Sequence, residues 1–365
     1  MTPSLALREE YNDNVSAVTS GGRADFISTL SPKLSLSRGG ERGNATLATG
    51  LDLLHYLRDS NDSAVGYFAQ GGGNFAATPR LSLSTDLGYT RDSSASSIDP
   101  ETALVTSSRA VHQSYRMAGR YQVSELLSSS LALSYARDDY DSPIYHDSRH
   151  YLASAGTDYD LGRRLPGAAL AALLSLRSDR TDQSRVDNVG ATLGLVKGVN
   201  ELWRLSLNGG ARYTRSEFPL PGASGDVSHD ETAAVGSLAL AYAGERSAGS
   251  LVLSHDLSTA AGRNAATQKT GASASLTGRL TRRLSGQLKG AWTRNRSGRE
   301  QFSVQQIDER ASNLGCSLKY TPSDPSQLAL EASYNYNSTY YKLLGSRMEQ
   351  NVVMLKLSWQ NRFSR

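Results

Sequence analysis

Apolar and polar residues alternate one by one along most of the chain. Residues 81–89 read Leu-Ser-Leu-Ser-Thr-Asp-Leu-Gly-Tyr, and residues 203–213 and 328–336 repeat the pattern. Side chains two residues apart share one face of a β-strand, so each segment has one apolar and one polar face. An amphipathic helix would need apolar residues three and four positions apart, and the sequence holds no sustained run of that kind. The alternation therefore predicts an all-β fold.

About 18 strands are predicted, with 16 as the alternative count. The predicted strands are 3–14, 25–38, 44–57, 64–77, 80–91, 110–123, 127–137, 148–161, 167–177, 189–198, 202–215, 232–243, 249–258, 269–280, 284–295, 309–320, 327–337 and 350–363.

The connections between these strands alternate in length. Short ones follow the even-numbered strands, at 39–43, 78–79, 124–125, 281–283 and 321–326. Long polar ones follow odd-numbered strands, at 92–109, 216–231 and 296–308. Short periplasmic turns and long external loops are typical of bacterial outer-membrane barrels, and this order places both termini in the periplasm. The sequence thus predicts one domain over residues 1–365, a closed antiparallel up-and-down β-barrel in the bacterial outer membrane.

The last predicted strand agrees with this interpretation. Val353, Leu355, Leu357, Trp359 and Phe363 share one parity and end near the C-terminus with an aromatic residue. A terminal strand of this kind resembles the recognition strand of outer-membrane proteins.

The composition looks too polar for a membrane protein, at 38% hydrophobic residues and a mean hydropathy of −0.42. A helical membrane protein needs about 20 consecutive apolar residues per span, and no such run occurs. In a barrel only every second residue faces lipid, so low hydropathy is compatible with membrane residence. Cys316 is the only cysteine, which excludes an internal disulfide or a cysteine-based metal cluster. The net charge of +4 does not indicate a nucleic-acid partner.

Parity assigns a face to each side chain of the predicted strands. Aromatic residues near strand ends on the lipid face predict two interfacial girdles: Tyr89, Tyr115, Tyr121, Tyr135, Trp203, Tyr213, Trp292 and Trp359. Ionisable residues of the other parity predict a lumen-lining set along the transport path: Lys33, Asp52, Asp86, Arg116, Arg120, Asp158, Arg204, Arg212, Lys289 and Glu331.

The lumen-lining set has two interpretations. It either braces the wall through hydrogen bonds or lines a hydrated path whose charges select what passes. Its mixed signs argue against strong anion selectivity, although Arg116, Arg120, Arg204 and Arg212 make the middle of the chain locally basic. A barrel of about 18 strands can hold an aqueous channel unless loops fold inward. The loop 92–109 is the first candidate for such a constriction.

A few ionisable residues need separate interpretation. Glu9 and His255 share the lipid-facing parity, so we expect them at the edge of the membrane. His146 and His150 have a spacing that ligates zinc on a helix, but they flank a loop-to-strand junction. We therefore expect solvated loop histidines there. Acidic clusters at 59–62 and 138–141 offer oxygen ligands for calcium, but neither has the spacing of a dedicated calcium loop, so ordinary loop charge is favoured and calcium binding stays open.

An enzyme is not expected. Hydroxyl residues are so abundant that any serine, histidine and aspartate set can be drawn, and only geometry identifies a catalytic constellation. The sequence predicts no catalytic residue, no metal and no cofactor.

Three segments carry a resemblance to a known family. They are the opening Leu-Ala-Leu-Arg-Glu-Glu-Tyr-Asn-Asp-Asn-Val at 5–15 and the turn-plus-strand units at 78–89 and 321–330. The chain resembles the outer-membrane β-barrel porins associated with bacterial exopolysaccharide synthesis and export. The resemblance implies a conduit that passes a secreted polysaccharide outward, above a periplasmic polysaccharide-export protein and surrounded by outer-membrane lipid and lipopolysaccharide. The alternatives are a general diffusion porin for small hydrophilic solutes and an outer-membrane hydrolase or adhesin.

Overall fold

The computed structural model describes residues 1–59, 62–98, 104–106, 108–142, 145–162, 164–219, 226–259, 266–298, 301, 306–322 and 327–361. Phe363 and parts of the loops predicted at 92–109, 216–231, 296–308 and 321–326, together with residues 60 and 61 of the acidic cluster at 59–62, lie outside these ranges.

The described residues form twenty strands. They are β1 (Thr2–Asn12), β2 (Asp25–Gly40), β3 (Gly43–Tyr56), β4 (Ala64–Thr78), β5 (Leu81–Asp92), β6 (Ser97–Ile98), β7 (Val105–Thr106), β8 (Ala110–Gln122), β9 (Leu127–Tyr140), β10 (Ser148–Asp160), β11 (Ala168–Thr181), β12 (Arg185–Gly198), β13 (Trp203–Pro219), β14 (Asp226–Ala243), β15 (Ser247–Thr259), β16 (Ala266–Arg279), β17 (Leu284–Ser297), β18 (Ile307–Tyr320), β19 (Leu328–Tyr341) and β20 (Ser346–Gln360).

Eighteen of these strands form one antiparallel sheet that closes on itself. Each strand pairs with its neighbours in the sequence, apart from the short pair β6–β7 between β5 and β8. The first strand also pairs with the last, where Ser4 lies opposite Gln360 and Asn12 opposite Val352. Closure satisfies the backbone groups that an edge strand would leave unpaired. The predicted all-β barrel of about 18 strands is confirmed.

The two ends of the barrel differ in their connections. At one end, which we call the turn end, strands are joined by short segments such as 41–42, 79–80, 244–246 and 280–283. Thr2 and Gln360 lie at this end too, because Ser4 pairs with both Ser35 and Gln360. The opposite end, the loop end, carries the longer segments. The alternation has exceptions, since the loop-end connections 182–184 and 342–345 are also short.

The strands extend further at the loop end than the alternation predicts. The expected loop 216–231 is wrong in extent, because β13 continues to Pro219 and β14 begins at Asp226. A strand needs about 9–11 residues to cross a bilayer, so strands of 17 and 18 residues project beyond it. Both faces of a projecting strand contact water or polar groups. The period of two, which needs one apolar face, therefore fades there.

The wall is apolar outside, and its buried residues lie mainly at the loop end. Most outward leucines are exposed, and Leu193 reaches 72% exposure. Ile27, Leu54 and Tyr56 instead form a buried cluster on the inner wall with Val15. No helix in the described ranges is long and apolar enough to cross a membrane.

Candidate functional site

The inner wall of the barrel carries the lumen-lining set predicted from parity. Cross-strand partners share a face, so the register places each residue relative to the exposed outward leucines. Asp86 lies opposite Arg116, and Glu331 lies opposite Lys319 and Lys356. The ten predicted residues all fall on the face opposite the leucines.

Two ion pairs cross the inner wall and brace it. Arg120 on β8 contacts Asp158 on β10 at 3.1 Å, passing over β9, where it donates a 2.7 Å hydrogen bond to Ser128. Arg212 on β13 contacts Asp256 on β15 at 2.7 Å and donates to the carbonyl of Leu257. Each arginine therefore lies along the wall, and its charge is largely compensated.

Other inward cations have no ion-pair partner among the described residues. Lys33 lies 5.5 Å from the centroid of the Phe68 ring. Phe68 can lie against the wall because Gly50 has no side chain there; a Cβ at Gly50 would meet the ring at 2.6 Å. Lys289 lies over Gly315 in the same way, since a Cβ at Gly315 would meet the lysine stem at 2.9 Å.

The remaining members of the set are placed among small or neutral residues. Arg204 lies opposite Gly198 and Ala241. Asp52 accepts a hydrogen bond from the hydroxyl of Ser31. Arg116, Arg204 and Lys289 form no ion pair within the described ranges. Arg116 and Lys289 lie at mid-height, and Arg204 lies near the turn end beside Trp203.

Two loops fold inward at the loop end. The backbone N–H of Ala95 donates to the hydroxyl of Tyr56 at 3.0 Å. Gln350 on β20 donates to the carbonyl of Asn14 at 2.9 Å and to the hydroxyl of Ser96 at 3.2 Å. The segments 13–18 and 93–98 are thus held against the inner wall. The sequence singled out 92–109 as the candidate constriction, and the described part of that loop lies in this position.

The residues that receive these loops were not predicted. Tyr56 is 1% exposed and Gln350 3% exposed, although both belong to the inward parity. One signal was available, because Leu53 and Leu54 are consecutive apolar residues in β3 and interrupt the polar inward face. An apolar inward residue needs something to cover it, and here the loops provide the cover.

A chain of histidines and carboxylates also crosses the inner wall near the loop end. Asp138 contacts His112 at 2.7 Å and His150 at 3.4 Å, and His150 contacts Asp179 at 2.6 Å. Arg177 closes the chain on Asp179 at 2.8 Å. The expectation of a solvated loop histidine is wrong for His150, because β10 begins at Ser148 and points this side chain inward. No group of three or more potential ligands within the described ranges is placed to hold a metal ion.

Aromatic rings surround the outer face in two bands. Tyr135 stacks on Tyr115 at 6.1 Å between centroids and contacts Tyr151 at 5.1 Å, towards the loop end. Trp203 packs on Tyr242 at 4.9 Å, near the turn end. The register places Tyr89, Tyr213 and Trp292 with the first band. It places Tyr121 and Trp359 with the second.

Two outward ionisable residues are satisfied by hydroxyl groups. Glu9 accepts a 2.7 Å hydrogen bond from Ser28, and His255 lies 2.8 Å from the hydroxyl of Thr270. Each partner lies directly opposite on the neighbouring strand. These pairings lower the cost of placing polar groups on an apolar face.

Comparison with solved structures supports the barrel fold. No protein-family model matches the chain, and no curated protein matches its sequence. Among solved structures, Pseudomonas aeruginosa OccK2 (OpdF) is 12% identical with a TM-score of 0.51, over 98% of this chain and 97% of that chain. Pseudomonas aeruginosa OccK9 (OpdG) is 11% identical with a TM-score of 0.51, over 99% of this chain and 98% of that chain. At this identity the similarity concerns the fold.

Both of these proteins share the fold of this chain over nearly their whole length. Their barrel agrees with the outer-membrane localisation predicted from the alternation of this chain.

Proposed function

We propose that the protein is an outer-membrane channel for passive diffusion of small hydrophilic solutes, narrowed at the loop end by its own inward loops. The observation that carries the proposal is the closed wall with an apolar outer face and a polar, ionisable inner face. Selective passive diffusion needs a hydrated path and a constriction that discriminates between solutes, and it needs no energy source. The segments at Asn14 and Ala95–Ser96 supply the constriction, and the two porins with the same barrel support the assignment.

The inner charges favour small anions among these solutes. Arg120 and Arg212 are engaged with carboxylates, whereas Arg116, Arg204 and Lys289 have no ion-pair partner in the described ranges. Asp86 and Glu331 moderate the positive potential because they lie opposite Arg116 and Lys356. We therefore expect a modest preference for anions, set by these unpaired inward cations.

Passage of an exopolysaccharide remains a prediction from the sequence resemblance, as do a periplasmic export partner and contact with lipopolysaccharide. The porin neighbours support diffusion better than export. Deleting the gene and measuring polymer at the cell surface separates the two functions. Loss of surface polymer in the deletion strain would support export. A wild-type amount of surface polymer would support the diffusion channel.

Single-channel recording in planar bilayers tests the proposal. The wild-type protein should give stable conductance. A variant in which a short Gly-Ser linker replaces residues 94–107 should conduct more, because the segment bonded to Tyr56 is gone. Replacing Leu343 and Leu344 by Gly-Ser is the matched control, since this loop-end connection is exposed. Absence of any conductance from correctly folded, heat-modifiable barrel would contradict the proposal.

A further inference from the structure

The outer wall has a hollow near the turn end, on β15, β16 and β17. Ser247 lies opposite Gly278, and Gly278 lies opposite Gly286, so three small residues share one outward row. Neighbouring strands are about 4.8 Å apart, so the row spans about 10 Å of wall. The hollow widens into a groove of about 1000 Å³ bordered by Leu280 and Leu318. That volume is typical of a small-molecule site.

A second hollow of the same design lies elsewhere on the wall. Ala45 lies opposite Gly73, and Gly73 lies opposite Thr85, on β3, β4 and β5. The resulting groove is about 830 Å³ and is bordered by Phe75 and Leu83. Two separate grooves therefore combine small outward residues with an apolar border.

Arginines stand at the turn end of both grooves. Arg246 borders the first groove, and Arg282 and Arg283 lie in the adjacent turn. Arg279 also borders this groove, but it lies opposite Ser285 and has the inward parity of β16. Arg38 and Arg42 border the second groove. All six are exposed and, within the described ranges, none forms an ion pair. Glu245 and Glu41 lie in the same turns, so each turn region keeps a net positive charge.

Several loop-end arginines form ion pairs. Arg23 contacts Asp59 and Asp62, Arg91 contacts Asp141, and Arg294 contacts Asp308. Other exposed loop-end arginines, such as Arg149, Arg180 and Arg310, form no ion pair within the described ranges, so the turn-end arginines are distinguished by their position beside the grooves.

We propose that each groove binds an anionic glycerophospholipid, with an acyl chain in the hollow and the phosphate against the arginines. An acyl chain fits an apolar groove, and clustered arginines attract anionic headgroups. A second copy of this chain fits less well, because a symmetric contact at this surface would bring the same arginines together. The proposal rests on the membrane localisation within the proposed function and is independent of conductance.

Native mass spectrometry of the delipidated barrel in detergent tests the site. Dioleoylphosphatidylglycerol should bind more tightly than dioleoylphosphatidylcholine. The triple variant Arg246→Gln/Arg282→Gln/Arg283→Gln should weaken phosphatidylglycerol binding by about fivefold per arginine and leave phosphatidylcholine unaffected. Gly278→Leu should weaken both lipids at this groove, because its side chain occupies the hollow. A Cβ at Gly278 meets nothing closer than 3.7 Å, so this variant should fold normally.

Arg164→Gln is the matched control, since Arg164 is an exposed arginine in a turn-end connection that borders neither groove. It should leave both affinities unchanged. Equal binding of the two lipids by the wild type, or an unchanged lipid preference in the triple variant, would overturn the proposal. If the wild-type protein forms dimers and Gly278→Leu dissociates them, the groove would instead bind a second copy of this chain. A conducting barrel without lipid selectivity would overturn this inference alone, whereas a polypeptide soluble without detergent would remove both proposals.

Discussion

The hydroxyl of Tyr56 on β3 accepts a hydrogen bond from the backbone N–H of Ala95, in the loop that follows β5. Tyr56 is almost fully buried inside the barrel, beside Ile27, Leu54 and Val15. The inner wall therefore offers the inward loop both an apolar contact surface and a hydrogen-bond acceptor.

Tyr56→Phe keeps the ring and removes the acceptor. The loss of one hydrogen bond should destabilise the closed position of the loop by about 0.5–1.5 kcal/mol. In planar bilayers we expect more frequent steps to a higher conductance level. Tyr89→Phe, on the outer face, is the control and should behave as wild type. Identical current traces for Tyr56→Phe and wild type would show that the bond does not hold the constriction.

Arg116→Gln together with Arg204→Gln should reduce the preference for anions. Both residues add uncompensated charge to the inner wall, so their removal shifts the reversal potential in a KCl gradient towards the cation value. Arg185→Gln removes a charge from the outward parity of β12 and should leave the potential unchanged. If the double variant keeps the wild-type potential, Arg116 and Arg204 do not set the selectivity.

Asp256→Asn should destabilise the barrel by leaving Arg212 without its ionic partner. The Arg212 side chain is 14% exposed, and removing a charged partner from such a group costs about 1–3 kcal/mol. The exposed pair Arg215–Glu217 offers a comparison, since its side chains are 52% and 36% exposed. Glu217→Gln should cost at most about 1 kcal/mol. Unfolding followed by heat-modified electrophoretic mobility would measure both, and equal losses would contradict a bracing role for Arg212.

Leu193→Arg and Thr192→Arg place the same charge on opposite faces of β12. Leu193 points to lipid, so its replacement near mid-membrane should cost about 2–4 kcal/mol. Thr192 points into the lumen, where water and polar groups solvate the guanidinium. Folding into vesicles of dioleoylphosphatidylcholine would show a marked loss for Leu193→Arg only. Equal folding of both variants would argue against a lipid-facing outer wall.

Periodicity predicted the part of the barrel in which each strand has one apolar face. The segment 81–89 is an example, because its leucines and serines fix both the strand and its orientation. Periodicity failed at Glu217, Phe218 and Asp230, where the wall stands beyond the membrane and neither face must be apolar.

For the site, the sequence predicted which face each residue occupies but not which residues are in contact. Parity assigned Arg120 and Asp158 to one face, but their contact depends on the register of three strands. The constriction depends on a long-range contact between a loop and Tyr56, which no local pattern encodes. His150 was misinterpreted because the start of β10 lies in a polar stretch without alternation.

The join between β1 and β20 has a consequence for biogenesis. Asn351 donates to both carboxylate oxygens of Asp13, 338 positions earlier in the chain. Nine residue pairs join β1 and β20 in an antiparallel ladder. The sheet cannot be sealed until the final strand has been delivered. Until then the edge of β1 has no partner strand, and unpaired backbone groups remain exposed. The newly exported polypeptide therefore needs protection from aggregation during its transit to the bilayer.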